Sequence, residues 1–276
     1  VYWDYYTEDG ALARHLFAEH ARFSADTLFA GGVYTWNGPV PDYDKAEATT
    51  RVLMTACREA GVRQAFATMW GDDGAECSPL LGGLLGLQLF AEIAYNGSRD
   101  DDALDARFEA CTGCPAQPFR ALGAFNRIGL DARPGDVMNP VKQLLYEDPL
   151  MPLFEADFAG LEPEAHYAHY AEENPAFADF FGFYAQLGRA VAAKCAYRVA
   201  AAPAVRRGDR RAAEKDVLPL CDACIEEMRA LARCWRALWM NSLRPFGFEV
   251  IDIRLSAQIG RLETARERIG AFAQGR

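Results

Sequence analysis

Trp70-Gly71-Asp72-Asp73-Gly74-Ala75-Glu76 places one indole and three carboxylates within seven residues. An indole offers a flat apolar face that can pack on the C–H face of a sugar ring. Carboxylates accept hydrogen bonds from hydroxyls. The two types together point to a carbohydrate ligand; the plain alternative is an acidic surface turn with Trp70 plugging a core. Two other stretches offer similar groups: Trp3 and Asp4 near the start, and Tyr34 and Trp36 in Val33-Tyr34-Thr35-Trp36-Asn37-Gly38-Pro39. Two cysteine pairs, Cys111/Cys114 and Cys221/Cys224, have CxxC spacing. About a hundred residues separate them and the second lies in a helical pattern, so reduced, partly buried thiols are expected, with no metal and no cofactor. His15 and His20 lie on a helical pattern, where a lone His is usually structural.

Each aromatic stretch must be carried by something. Residues 1–6, 27–30 and 64–68 read as strands, the second ending at Gly31-Gly32, where backbone can turn or approach a ligand closely. Apolar residues recur at helical spacing over 11–23 and 43–60, and 80–95 is apolar nearly all round. Strand and helix therefore alternate three times, which implies parallel strands with crossover helices. Three such units cannot close a sheet. Because each strand ends in an aromatic, polar loop, the last part of an eightfold βα barrel is expected over residues 1–98, its loops meeting at one rim. From Asp101 onward strand signals almost vanish. Helices are expected at 101–111, 140–155, 163–202, 209–241 and 249–272, with a loop at 129–138 and breaks at Pro203–Gly208 and Pro245–Gly247. The expectation is an α/β fold: the end of a barrel, then an all-α domain over 99–276.

The chain has 276 residues, half of them apolar, and a formal net charge of −10. That charge disfavours nucleic acid and anionic membrane as partners. No apolar run reaches membrane-spanning length and no secretory segment is expected. Reduced thiols suit a cytoplasmic setting. The chain opens without Met on a strand-like run, so it is expected to be a piece of a longer protein.

Val1-Tyr-Trp-Asp-Tyr-Tyr, Phe29-Ala-Gly-Gly-Val-Tyr-Thr-Trp and the Trp70 loop resemble the C-terminal part of glycoside hydrolase family 20, the exo-acting β-N-acetylhexosaminidases. Asn139-Pro-Val-Lys-Gln-Leu-Leu-Tyr-Glu-Asp-Pro and Arg244-Pro-Phe-Gly-Phe-Glu-Val-Ile-Asp-Ile-Arg resemble the subgroup with a helical domain after the barrel. The likeness spans nearly the whole chain, and the three barrel loops are its specific part. It implies that Tyr2, in Tyr2-Trp3-Asp4, gives its hydroxyl to the N-acetyl carbonyl and is the catalytic residue of this piece. It implies substrate-binding roles for Asp4, for Trp70 as pocket floor, for Asp72 and Glu76 on outer hydroxyls, and for Trp36 as a wall. It implies a retaining, substrate-assisted reaction on a terminal GlcNAc or GalNAc. One departure is clear: the family's adjacent Asp-Glu pair is absent, since no Asp-Glu dipeptide occurs in this chain. The pair would have to come from an upstream part of the same protein, and the fragment alone is expected to be inactive. A homodimer stays open. Two other readings remain: a different barrel glycosidase using Asp4 with Asp72 or Glu76, and a non-catalytic helical interaction module.

Overall fold

A computed structural model describes residues 1–97, 100–127, 129–130, 139–151, 156–157 and 169–276; of Asp73, 129–130 and 156–157 it describes the backbone alone. The loop read over 131–138, the helix end at 152–155 and the helix start at 163–168 lie outside the described residues. The fold is mostly helical with one small parallel sheet, and it divides into two compact units, Val1–Gly123 and Ala124–Arg276.

In the first unit, strands β1 (Tyr2–Trp3), β2 (Leu28–Gly32) and β3 (Gln64–Thr68) pair in that order, all parallel. The register sets Trp3 opposite Ala30 and Gly32 opposite Thr68. Crossover helices α1 (Gly10–Phe23) and α2 (Tyr43–Glu59) join them. Each begins where a carboxylate takes up orphan amides: Asp9 accepts from Ala11 and Leu12, and Asp42 accepts from Lys45. Helix α3 (Pro79–Gly82) and α4 (Leu84–Ala91) run into a π-helical turn, Glu92–Asn96. Helices α5 (Asp101–Thr112) and α6 (Gln117–Ala121) complete the unit.

The side-chain period of two divides the sheet into two unlike faces. Tyr2 and Phe29 point to the helices, where Phe17, Leu53, Met54, Leu89 and Phe90 bury them. Trp3 and Phe66 point the other way and stay 47% and 39% exposed, their rings 5.5 Å apart.

The second unit is built on α8 (Ala178–Arg206), α10 (Leu218–Ser242) and α11 (Glu249–Ala273). A short turn, α9 (Arg210–Ala212), and a π turn lead into α10. Phe183 near the start of α8 meets Trp235 near the end of α10, and Arg236 near the end of α10 pairs with Asp252 near the start of α11 while Asp222 near the start of α10 pairs with Arg266 near the end of α11, so neighbours run antiparallel. No strand lies among the described residues of 169–240.

Three details differ from the sequence reading. Helix α7 (Pro140–Tyr146) stops well short of 155, because side chains from α8 and α11 take its last carbonyls. The buried Lys194 ammonium donates to the Leu145 carbonyl (2.8 Å), the Glu147 carbonyl (2.6 Å) and Gln258 Oε1 (2.8 Å), and Gln258 Nε2 donates to the Tyr146 carbonyl. Helix α8 runs through Pro203 to Arg206, and the break falls at Gly208, whose φ of 66° only glycine adopts readily. A two-residue antiparallel ladder pairs Gly129–Leu130 with Ala156–Asp157, too short to leave a pattern in sequence.

Candidate functional site

Three loops leave the C-terminal ends of the strands. The first is knotted around Asp4. Its amide still bonds the Ala30 carbonyl, extending the β1 ladder. Its carboxylate then accepts from the Tyr2 hydroxyl (2.6 Å), the Tyr6 amide (2.9 Å), the Thr7 amide (3.1 Å) and the Thr7 hydroxyl (2.7 Å). Burial alone would raise this carboxyl; the hydrogen bonds outweigh it and hold the group below the usual carboxylate range. Tyr2 itself is 5% exposed, its ring against Phe17 and stacked on His20 at 4.3 Å. Burial, with the Asp4 bond added, pushes its phenol well up.

The second loop is folded back onto the sheet. Val33 donates to the Thr68 carbonyl, and Tyr34 takes a left-handed backbone, φ 51°, from which its hydroxyl bonds the Tyr5 carbonyl. Tyr34 stacks on Trp36 at 4.6 Å, and Trp36 meets Tyr5 edge-on at 5.2 Å. Trp36 lies over Gly32: a Cβ there would sit 2.5 Å from the indole. The glycine is what lets this ring reach the face shared with Trp3 and Phe66.

The third loop carries Trp70, 36% exposed and 5.6 Å from Trp3. The Thr35 hydroxyl reaches its carbonyl at 3.5 Å, tying second loop to third. A 3-10 turn, Asp72–Gly74, follows, closed by Ala75 at φ 50°. Asp72 is exposed there, whereas Glu76 turns inward and is buried. Two of the three described non-glycine residues with positive φ, Tyr34 and Ala75, thus lie in these loops; such strain gathers where a surface is held in one shape for a ligand.

The structure therefore brings Asp4, Trp36, Trp70 and Asp72 to one end of the sheet. It does not bring Tyr2 to the open side: strand alternation sends that ring to the helices. Glu76 lies in the third loop but inside it. Sequence reasoning passed over Tyr5 and Tyr6 on the first loop and Phe66 on β3. The two-residue period would have found Phe66, since it pairs across Ala30 with Trp3. Tyr5 and Tyr6 follow the strand end, where no period applies.

What the rim offers is aromatic faces beside carboxylates. Among the described residues no group of three or more His, Cys, Asp or Glu could hold a metal, and the eight cysteines are free. Burial pushes the Cys221 and Cys224 thiols up to about 11 and about 12, away from the thiolate that metals and electrophiles need. No described helix is long and apolar enough to cross a membrane.

Residues 117–276 match a family model described as Glycoside Hydrolase 20C C-terminal domain, which covers more than half of the chain. No curated protein matches the chain.

Proposed function

This chain belongs to the Glycoside Hydrolase 20C C-terminal domain family, and on that premise we propose that it is part of an exo-acting β-N-acetylhexosaminidase. The sheet of the first unit is the end of a (β/α)8 barrel, residues 1–98, and the helical domain follows. The substrate is a small molecule or glycan ending in N-acetylglucosamine or N-acetylgalactosamine. The observation that carries this reading is the open aromatic face at the strand ends: Trp3, Phe66 and Trp70 side by side, with Asp72 exposed in the turn that follows Trp70.

In this reading Trp70 floors the pocket and Trp36 walls it. Asp72 holds outer hydroxyls of the terminal sugar, which makes the enzyme exo-acting. Asp4 and Glu76 stand behind these contacts. The substrate's own acetamido oxygen attacks the anomeric carbon, positive charge spreads over an oxazolinium ring, and configuration is retained. The Asp-Glu pair that protonates the leaving oxygen and orients the acetamido group comes from an upstream part of the same protein.

Hydrolysis of a chromogenic β-N-acetylglucosaminide by the 276-residue chain and by the intact protein tests this. The intact protein turns over and the chain alone does not, since a general acid is worth about 10²–10⁴-fold by itself. Trp70→Ala in the intact protein raises KM more than it lowers kcat, because a flat contact helps ground state and transition state alike. Turnover by the pure chain at the intact rate would move the chemistry to Asp4, Asp72 or Glu76.

A further inference from the structure

Four arginines stand within six residues at the corner between α8 and α9: Arg206, Arg207, Arg210 and Arg211, all exposed, in a chain of net charge −10. Other arginines of this unit hold carboxylates: Arg198 takes Glu147, Arg229 takes Glu226 and Glu263, Arg261 takes Asp148 and Arg266 takes Asp222. The four at the corner hold no carboxylate among the described residues. Asp209, the one acid inside the run, is turned to the Ala212 amide at 2.9 Å. More positive charge gathers there. Lys215 is exposed four residues past Arg211. A Cβ on Gly275 would sit 2.9 Å from the Arg210 guanidinium, so the exposed Arg276 follows beside it.

Part of this crowding costs the fold. Arg206 and Arg207 suit the C-terminal end of α8, but Arg210 and Arg211 face the positive end of the helix that runs through α9 and the π turn into α10. Arg211 and Lys215, four apart on that helix, repel. The backbone that carries the arginines is nonetheless fixed. Gly208, φ 66°, closes α8 with its amide on the Val205 carbonyl (3.1 Å), and the Asp209 amide reaches the Ala204 carbonyl (2.9 Å). Two arginine pairs are thus held on either side of one closed turn. A guanidinium fork fits carboxylate and sulfate oxygens, and several together fit a chain that repeats such groups. No Phe, Tyr or Trp occurs between Tyr197 and Trp235, so the run carries no platform for bases. Val205 is the single exposed large apolar residue over 203–217, too little to enter a bilayer.

We propose that this corner of the second unit binds an anionic polysaccharide, a linear chain bearing carboxylates or sulfates. That the polymer is a glycan rests on the glycosidase reading; that it is anionic rests on the arginines. A body of net charge −10 repels such a chain. The arginine corner gives it a place to land and raises the local concentration of its ends.

The test is binding of heparin to the intact protein as a function of ionic strength. A single-stranded oligonucleotide and phosphatidylserine vesicles serve as rival polyanions, and turnover of a neutral chromogenic β-N-acetylglucosaminide is measured alongside. Arg206→Gln, Arg207→Gln, Arg210→Gln and Arg211→Gln together weaken heparin binding about tenfold or more and flatten its salt dependence, each exposed ion pair being worth up to about fivefold. Turnover of the small substrate is unchanged. Arg210→Gln with Arg211→Gln weakens binding while the melting temperature holds or rises, because a repulsion is removed; lost binding is then not lost fold. Heparin binding indifferent to the arginines overturns the proposal, and so does an oligonucleotide or a vesicle bound as tightly as heparin. Turnover without arginine-dependent binding rejects the corner and keeps the hydrolase reading. Arginine-dependent binding without turnover of any β-N-acetylhexosaminide rejects the hydrolase reading and keeps the corner. Neither binding nor turnover rejects both.

Discussion

At the residue scale, Asp4 shows how one side chain can be misread from its neighbours in sequence. Tyr2-Trp3-Asp4 reads as a motif pointing Tyr2 and Asp4 at a ligand. In the fold the alternation of β1 divides them: Tyr2 to the helices, Trp3 to the open face, Asp4 into the turn it closes. Which face of β1 meets the helices depends on α1 and β2 packing behind it, and nothing within the motif records that. Trp36 and Trp70 lie in loops that follow strands, where the sequence put them, but Trp36 is packed against Tyr34 and Tyr5 while Trp70 stays partly exposed. The Asp4 bonds also set a pH dependence. Its folded pKa lies below the unfolded value of about 3.9, so the stability it contributes is fully present above that value and is lost as pH falls through the folded pKa. Asp4→Asn is expected to flatten the acid limb of the stability curve below about pH 4. Urea unfolding at pH 3 and pH 6 measures it, and equal acid sensitivity in variant and wild type would contradict it.

At the element scale, strands and helices were largely legible where the signal is local. The bounds of β3 and α2, and the starts of α5, α7 and α11, lie within about a residue of where local spacing put them, and Asp42, Asp100 and Asn139 cap three of these helices. Stops were harder. The end of α7 is imposed by Lys194 and Gln258, which come from positions far along the chain, so no reading of its own residues could place it. Element and site are joined most tightly at Gly32, the end of β2. A methyl group there would sit 2.5 Å from the Trp36 ring and 3.2 Å from Thr68 Oγ1. Gly32→Ala is expected to drive Trp36 out of its place at a cost of about 1–3 kcal/mol, as overpacking does. Thermal melting reads the loss and the tryptophan emission spectrum reads the displaced ring. A variant with unchanged emission would mean that Trp36 has room to spare.

At the scale of the whole molecule, the two units differ in what secures them. The second buries its faces within itself: Phe180, Tyr184, Tyr197, Met228, Leu231 and Trp235 are almost wholly enclosed among its long helices. The first leaves Trp3 and Phe66 on one face of its sheet partly exposed and both outer strands, β1 and β3, with an unpaired edge among the described residues. The alternation of strand and helix was readable because each βα unit is local. Closure of a barrel is a property of strands that have to be present together, and three strands do not carry it. The enclosure of the second unit has a consequence for chemical labelling. Lys45, Lys142, Lys194 and Lys215 are the chain's four lysines, and Lys194 alone is only 1% exposed. Burial brings its ammonium down to about 8, so at that pH roughly half of it is the neutral nucleophile that an acylating reagent attacks. The amine is therefore chemically ready yet out of reach, and acylation has to wait for the helices to part. Peptide mass spectrometry on protein treated with an amine-reactive ester should find Lys215 labelled long before Lys194, and the lag should vanish in denaturant. In native buffer the slow label becomes a clock that counts openings of the helical unit, and a Lys194 that labels in step with Lys215 would mean the carbonyl lock on α7 does not hold.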